Sequence, residues 1–176
     1  MDIIDINLVV KHIKELKMQY PNIKLKHTTT WDEYFINLAR AISITSKDPS
    51  TKIGCVIAND DYEVLSVGYN GPPIGVKECW ERPDKYKIVS HAEETALCFM
   101  LRRGVSALGC TMYLMYGPSP CSSCTRLVIQ SGISHIVCTN IEFPGFKSNP
   151  EKWIRDLEIA QDMLKQANVP IRIIEV

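Results

Sequence analysis

The sequence predicts an α/β protein, a three-layer α/β/α sandwich around a mixed five-stranded sheet. Three observations lead there. Helical and strand patterns alternate through the C-terminal half, which requires crossover connections and parallel strands. A hairpin pattern precedes them and adds antiparallel pairing. The chain's 176 residues suffice for one full core, and no internal repeat or low-complexity segment interrupts them.

Residues 1–30 form an N-terminal helical extension and residues 31–176 the main domain. In the extension, Ile6, Val9, Val10, Ile13 and Leu16 recur close to helical spacing between Asp5 and Met18, and Pro21-Asn22 ends the pattern. Thr30 is the N-cap of the next helix, with Glu33 three positions on as in a capping box. Tyr34, Phe35, Leu38, Ala41 and Ile42 mark its apolar face, and it stops near Lys47-Asp48-Pro49. Ile53–Ile57 reads as a buried strand, Asn59-Asp60-Asp61 as a turn and Val64–Tyr69 as the hairpin partner. Gly71-Pro72-Pro73 breaks it, and residues 75–90 form an irregular charged loop. Ser90 caps a helix from His91 to Arg103, closed by Gly104. Thr111–Tyr116 is a strand, and Pro120 precedes a helix that runs to Gln130 and is closed by Gly132. His135–Thr139 is a strand. Trp153–Gln166 is a helix with Ile154, Leu157, Ala160 and Leu164 turned inward, and Pro170–Val176 is the last strand.

Composition narrows the function classes. Twenty basic residues balance twenty acidic ones, so the chain has no global electrostatic footprint for nucleic acid or an anionic membrane. No apolar run is long enough to span a bilayer. The N-terminus is acidic and lacks a basic n-region or a small-residue cleavage site. Seven cysteines, an odd number without a secretion signal, fit free thiols and metal ligands in a reducing compartment. The expected location is the cytoplasm. Cys55, Cys98, Cys110 and Cys138 lie in or beside apolar segments and read as small buried hydrophobes, whereas Cys79 has no assigned role.

The chemistry concentrates in His91-Ala92-Glu93 and Pro120-Cys121-Ser122-Ser123-Cys124. His91, Cys121 and Cys124 supply three zinc ligands, which leaves a fourth tetrahedral position for water, the mark of a catalytic zinc. The two cysteines are about one helical turn apart at a predicted helix N-terminus, where the dipole and free N–H groups stabilise thiolates. Two thiolates and a neutral imidazole leave the zinc site formally neutral, so ionising a water there needs a base. Glu93, two residues beyond a ligand, fits that role without binding the metal. Glu94 reads as a solvated carboxylate in the first helical turn. The competing structural reading is a four-ligand zinc clip with His12, His27, His135 or Cys79 as the fourth ligand. It leaves Glu93 without a purpose.

H-x-E followed by P-C-x-x-C is the signature of zinc deaminases. With Ser46-Lys47-Asp48-Pro49-Ser50-Thr51-Lys52-Ile53-Gly54, Gly68-Tyr69-Asn70-Gly71 and Gln130-Ser131-Gly132, the segment from Trp31 to Asn140 resembles the deoxycytidylate deaminases of the cytidine deaminase superfamily. The resemblance implies a cytidine deaminase-like fold, one Zn2+ and hydrolysis of dCMP to dUMP with release of ammonia. It further implies a sugar contact from Asn70, phosphate contacts from Lys47 and Lys52, homo-oligomers, and dCTP or dTTP as effectors. Three departures bear on the substrate. Thr95 stands where these enzymes usually have Asn and is similar to nucleobase-acting guanine deaminases. Residues 116–119 make a longer approach to the cysteines. Ile141-Glu142-Phe143 lacks the family's tyrosine. A 5-modified dCMP, a nucleoside or a free base is therefore the alternative substrate. A non-catalytic zinc-stabilised module is the alternative of a different class.

Overall fold

The computed structural model describes residues 30–147 and 150–176. The helix expected at Asp5–Met18 lies outside the described residues. In chain order the elements are α1 (Trp31–Ser43), β1 (Gly54–Ala58), β2 (Val64–Tyr69), α2 (Lys85–Ile88), α3 (Ala92–Arg102), β3 (Thr111–Leu114), α4 (Ser122–Ser131), β4 (His135–Thr139), a 3₁₀ turn (Pro144–Lys147), α5 (Pro150–Gln166) and β5 (Ile171–Ile174). The strands form one mixed sheet in the order β2-β1-β3-β4-β5. β1 pairs antiparallel with both β2 and β3. β3, β4 and β5 run parallel, joined by α4 and α5 as crossovers. The expected three-layer architecture is the observed one.

Alternation along the fully buried β1 divides the core. Cys55 and Ile57 face α3, α4 and α5, with Ala92, Ala96, Met100, Val128 and Leu164 packed against Met112, Ile136 and Cys138. Val56 and Ala58 face α1 and meet Phe35, Ile36, Ala39 and Tyr113. Two glycines let the helices approach the sheet backbone directly. A Cβ on Gly54 would lie 1.8 Å from the Ala39 carbonyl oxygen, and one on Gly68 2.0 Å from that of Ala92. α1 therefore presses on one face and α3 on the other with no side chain between helix and strand.

Local signals account for most of the helix ends. Thr30 and Glu33 form the reciprocal capping box, and Gly132 closes α4 in the left-handed conformation. Several expectations are corrected. The N-cap of α3 is His91, not Ser90, whose backbone pairs with Gly71 instead. The charged loop contains α2, and α5 begins at Pro150, which suits a first helical position. Tyr34 and Ile154 are exposed, and Phe35, Ile36, Ala39 and Ser43 form the buried face of α1. Tyr34 sits edge-on to Trp31, which stacks on Tyr62 at 4.4 Å, so this aromatic cluster forms at the surface. Cys98 is also exposed, unlike Cys55, Cys110 and Cys138. Among the described residues no helix is long and apolar enough to cross a membrane.

Candidate active site

The N-termini of α3 and α4 meet at the C-terminal end of β3, beside a cleft of about 630 Å³. His91 directly precedes α3. Cys121 caps α4, and its sulfur accepts from the Cys124 N–H at 3.4 Å. Both sulfurs lie 3.4 Å from His91 Nδ1, and the three donor atoms all lie within 4.8 Å of one another. Tetrahedral zinc with ordinary Zn–N and Zn–S bonds separates N from S by about 3.5 Å, so the triangle fits the ion. Among the described residues no fourth His, Cys, Asp or Glu joins it. Neither His135 nor Cys79 closes the site, His12 and His27 lie outside the described residues, and the described donors leave open the position that a catalytic zinc centre keeps for water.

Hydrogen bonds link the three donors. A hydrogen bond with the Cys124 side chain, assisted by His91, holds the Cys121 thiol down at about 4. The same pairing pushes Cys124 well above its ordinary value. The bond to Cys121 raises His91 to about 9. Metal loading displaces protons from such a set. Glu93 is buried in the first turn of α3 and lines the cleft outside the ligand triangle. Burial pushes its carboxyl above the ordinary range, only partly offset by His91.

A polar floor underlies one side of the cleft. Asp48 Oδ1 accepts from the Ser50 and Thr51 N–H groups at 2.8 and 3.1 Å. Lys85 Nζ reaches both oxygens of the same carboxylate, at 2.8 and 2.7 Å, and donates to Ser50 Oγ at 2.7 Å. Burial alone would raise the Asp48 carboxyl, but these hydrogen bonds together hold it below its ordinary value. Asn70, expected at the sugar, lines the cleft, but its amide is engaged inward. Its Oδ1 accepts from the Ile53 N–H at 2.8 Å, and its Nδ2 donates to the Thr51 carbonyl and to Asp48.

The lysines expected at a phosphate do not line the cleft. Lys47 pairs with Glu78 at the surface, and Lys52 is turned to the Ser46 carbonyl. The cationic side chains that do line it are Lys85, paired with Asp48, and Arg82, whose guanidinium lies 5.5 Å from the centre of the Tyr86 ring. Phe143 packs edge-on against Trp153 at 4.9 Å and Tyr116 at 6.2 Å. These three rings and Phe146 form an aromatic wall. Thr95 is half-buried and does not line the cleft.

The model of the cytidine and deoxycytidylate deaminase zinc-binding region matches residues 29–140. The chain belongs to this family. An uncharacterized deaminase of Aliivibrio fischeri is 35% identical over 144 residues, which is 80% of this chain and 91% of that protein. Human deoxycytidylate deaminase is 34% identical over 116 residues, 61% of this chain. That alignment spans 63% of the human enzyme. Among solved structures, the cyanophage S-TIM5 dCMP deaminase in complex with dCMP and dUMP superposes with a TM-score of 0.67 at 24% identity. The match covers 84% of this chain and 100% of that one. The cyanophage enzyme shares the fold, and the zinc-binding donor set lies within the segment matched by the family model.

Sequence reasoning missed Asp48, Lys85, Arg82 and the aromatic wall. Asp48 carried a usable signal, since Asp followed by Ser50 and Thr51 is the pattern of a side chain that binds the next backbone N–H groups. For Lys85 no local feature marks burial, because its partner is 37 residues away.

Proposed function

We propose that the protein hydrolyses dCMP to dUMP and releases ammonia. One observation carries the reading: a three-donor triangle that no fourth protein ligand joins among the described residues, with the buried Glu93 carboxyl beside it and facing a cleft. Bound zinc supplies a Lewis acid that activates water for attack at C4 of the pyrimidine. Glu93 takes the proton of the attacking water, delivers it to N3 of the ring and then serves the departing amine. One water is consumed and one ammonia leaves. The Asp48–Asn70–Lys85 floor holds the cleft wall, and the aromatic wall excludes water from the base. Arg82, which makes no ion pair among the described residues, meets the 5′-phosphate.

Support for dCMP comes from the relatives named deoxycytidylate deaminase and from the cyanophage enzyme crystallised with dCMP and dUMP. The same reading places the protein in the cytoplasm, makes it a homo-oligomer and puts it under dCTP or dTTP control. Light scattering with and without those nucleotides tests the last two. The substrate test is ammonia release from a panel of dCMP, 5-methyl-dCMP, 5-hydroxymethyl-dCMP, deoxycytidine, cytosine and guanine. dCMP should exceed deoxycytidine in kcat/KM by at least about 100-fold, and Arg82→Ala should shrink that margin by selectively weakening dCMP. Equal use of dCMP and deoxycytidine would overturn the nucleotide assignment.

A further inference from the structure

We propose that Asp156, on α5, is a positioning residue that sets the orientation of the two zinc-binding thiolates. The proposal rests on the zinc reading of the site. Ser122 lies between the two cysteines and opens α4. Its N–H donates to Asp156 Oδ2 at 2.9 Å and its hydroxyl to Oδ1 at 2.5 Å, across 34 residues of chain. Asp156 lies outside the segment matched by the family model, and it does not belong to the donor triangle.

The contact fixes a turn that would otherwise be held only from within. On its inner side, the Cys124 N–H donates to Cys121 Sγ. On its outer side, both donors of Ser122 close on one carboxylate. That carboxylate stands on a helix anchored next to it by the buried Leu157 and one turn on by the buried Ala160. Cys121 is the cap of α4, so a small rotation at residue 122 swings its sulfur away from His91 Nδ1. A carboxylate near two thiolates is repelled by them. At this place the positive end of α4 and the two hydrogen bonds offset that repulsion. The C-terminal helix therefore completes the metal site through geometry, not through a ligand.

The experiment measures the rate of zinc transfer from the full-length zinc-loaded chain to a chromophoric chelator, without nucleotide. Ser122→Ala removes the hydroxyl bond and keeps the Asp156 charge. Asp156→Ala removes both bonds and the charge. Leu164→Val trims the same helix far from the turn and controls for general loosening. Partners of this kind tune metal affinity by about 10–100-fold. Ser122→Ala should release zinc several-fold faster than the parent, Asp156→Ala at least about tenfold faster, and Leu164→Val at the parental rate despite its lower Tm. Parental rates in Ser122→Ala and Asp156→Ala, slower release from Asp156→Ala, or equal acceleration by Leu164→Val would each overturn the proposal. If Asp156→Ala does not fold, Ser122→Ala decides alone. A parent chain that retains no zinc refutes the zinc reading and this proposal with it. A zinc-loaded parent with unmoved release rates refutes only the positioning role.

Discussion

Lys85 and Asp48 form an ion pair buried beneath the cleft, with Nζ within 2.8 Å of both carboxylate oxygens. The pair ties α2, in the long connection after β2, to the segment that precedes β1. Removing one partner strands the other charge in a poorly solvated place. Lys85→Met should lower stability by about 3–5 kcal/mol in urea denaturation, and adding Asp48→Asn should restore part of it. A loss below about 1 kcal/mol would show that the pair contributes little to the fold.

The same carboxylate predicts a pH dependence. Its folded value is depressed, so its contribution is fully present above the unfolded value of about 3.9 and is lost as pH falls through the folded value. The stability advantage of the parent over Asp48→Asn should therefore stay level between pH 5 and pH 8 and shrink below about pH 4. An advantage that persists unchanged to pH 3 would contradict the depressed value.

Glu93→Gln keeps the size of the side chain and removes its capacity to carry a proton. Zinc content and Tm should match the parent, while turnover of dCMP falls by at least about 100-fold. Near-parental turnover, measured as ammonia release, would remove Glu93 from the chemistry.

Thr125, next to Cys124 in α4, buries a hydroxyl with no hydrogen-bond partner among the described residues. Valine has nearly the same shape and no such group to desolvate. Thr125→Val should leave the urea midpoint unchanged or raise it by up to about 1 kcal/mol of stability. A clear loss would reveal a buried water bound to the hydroxyl.

Legibility in the sequence followed the range of the interaction. The donor triangle was readable because each half is a local motif at a helix start, with ligand spacing fixed by covalent chain and helix geometry. The mixed five-stranded sheet followed from the alternation of elements after one hairpin, whereas the strand order came only with the structure. Lys47 and Lys52 were placed at the phosphate because motif position carries no information about which way a long side chain turns. Lys47 turned to Glu78, Lys52 to a carbonyl, and the floor went to Lys85 from a distant loop. Asn70, expected at the sugar, lines the cleft with its amide bound to its own scaffold. Ser122 and Asp156 escaped notice because neither residue type signals a contact across 34 residues.

Gly68 gives the sheet a say in the chemistry. The backbone of α3 rests on β2 at this residue, and a Cβ would also lie 2.5 Å from the Ala96 N–H nitrogen. An alanine there would have no flexible side chain to push aside. It would push the first turn of α3 off the sheet and carry His91 and Glu93 with it, while Cys121 and Cys124 stay with α4. A single methyl group buried under the first turn of the helix would thus register first as lost zinc, before any general loss of fold.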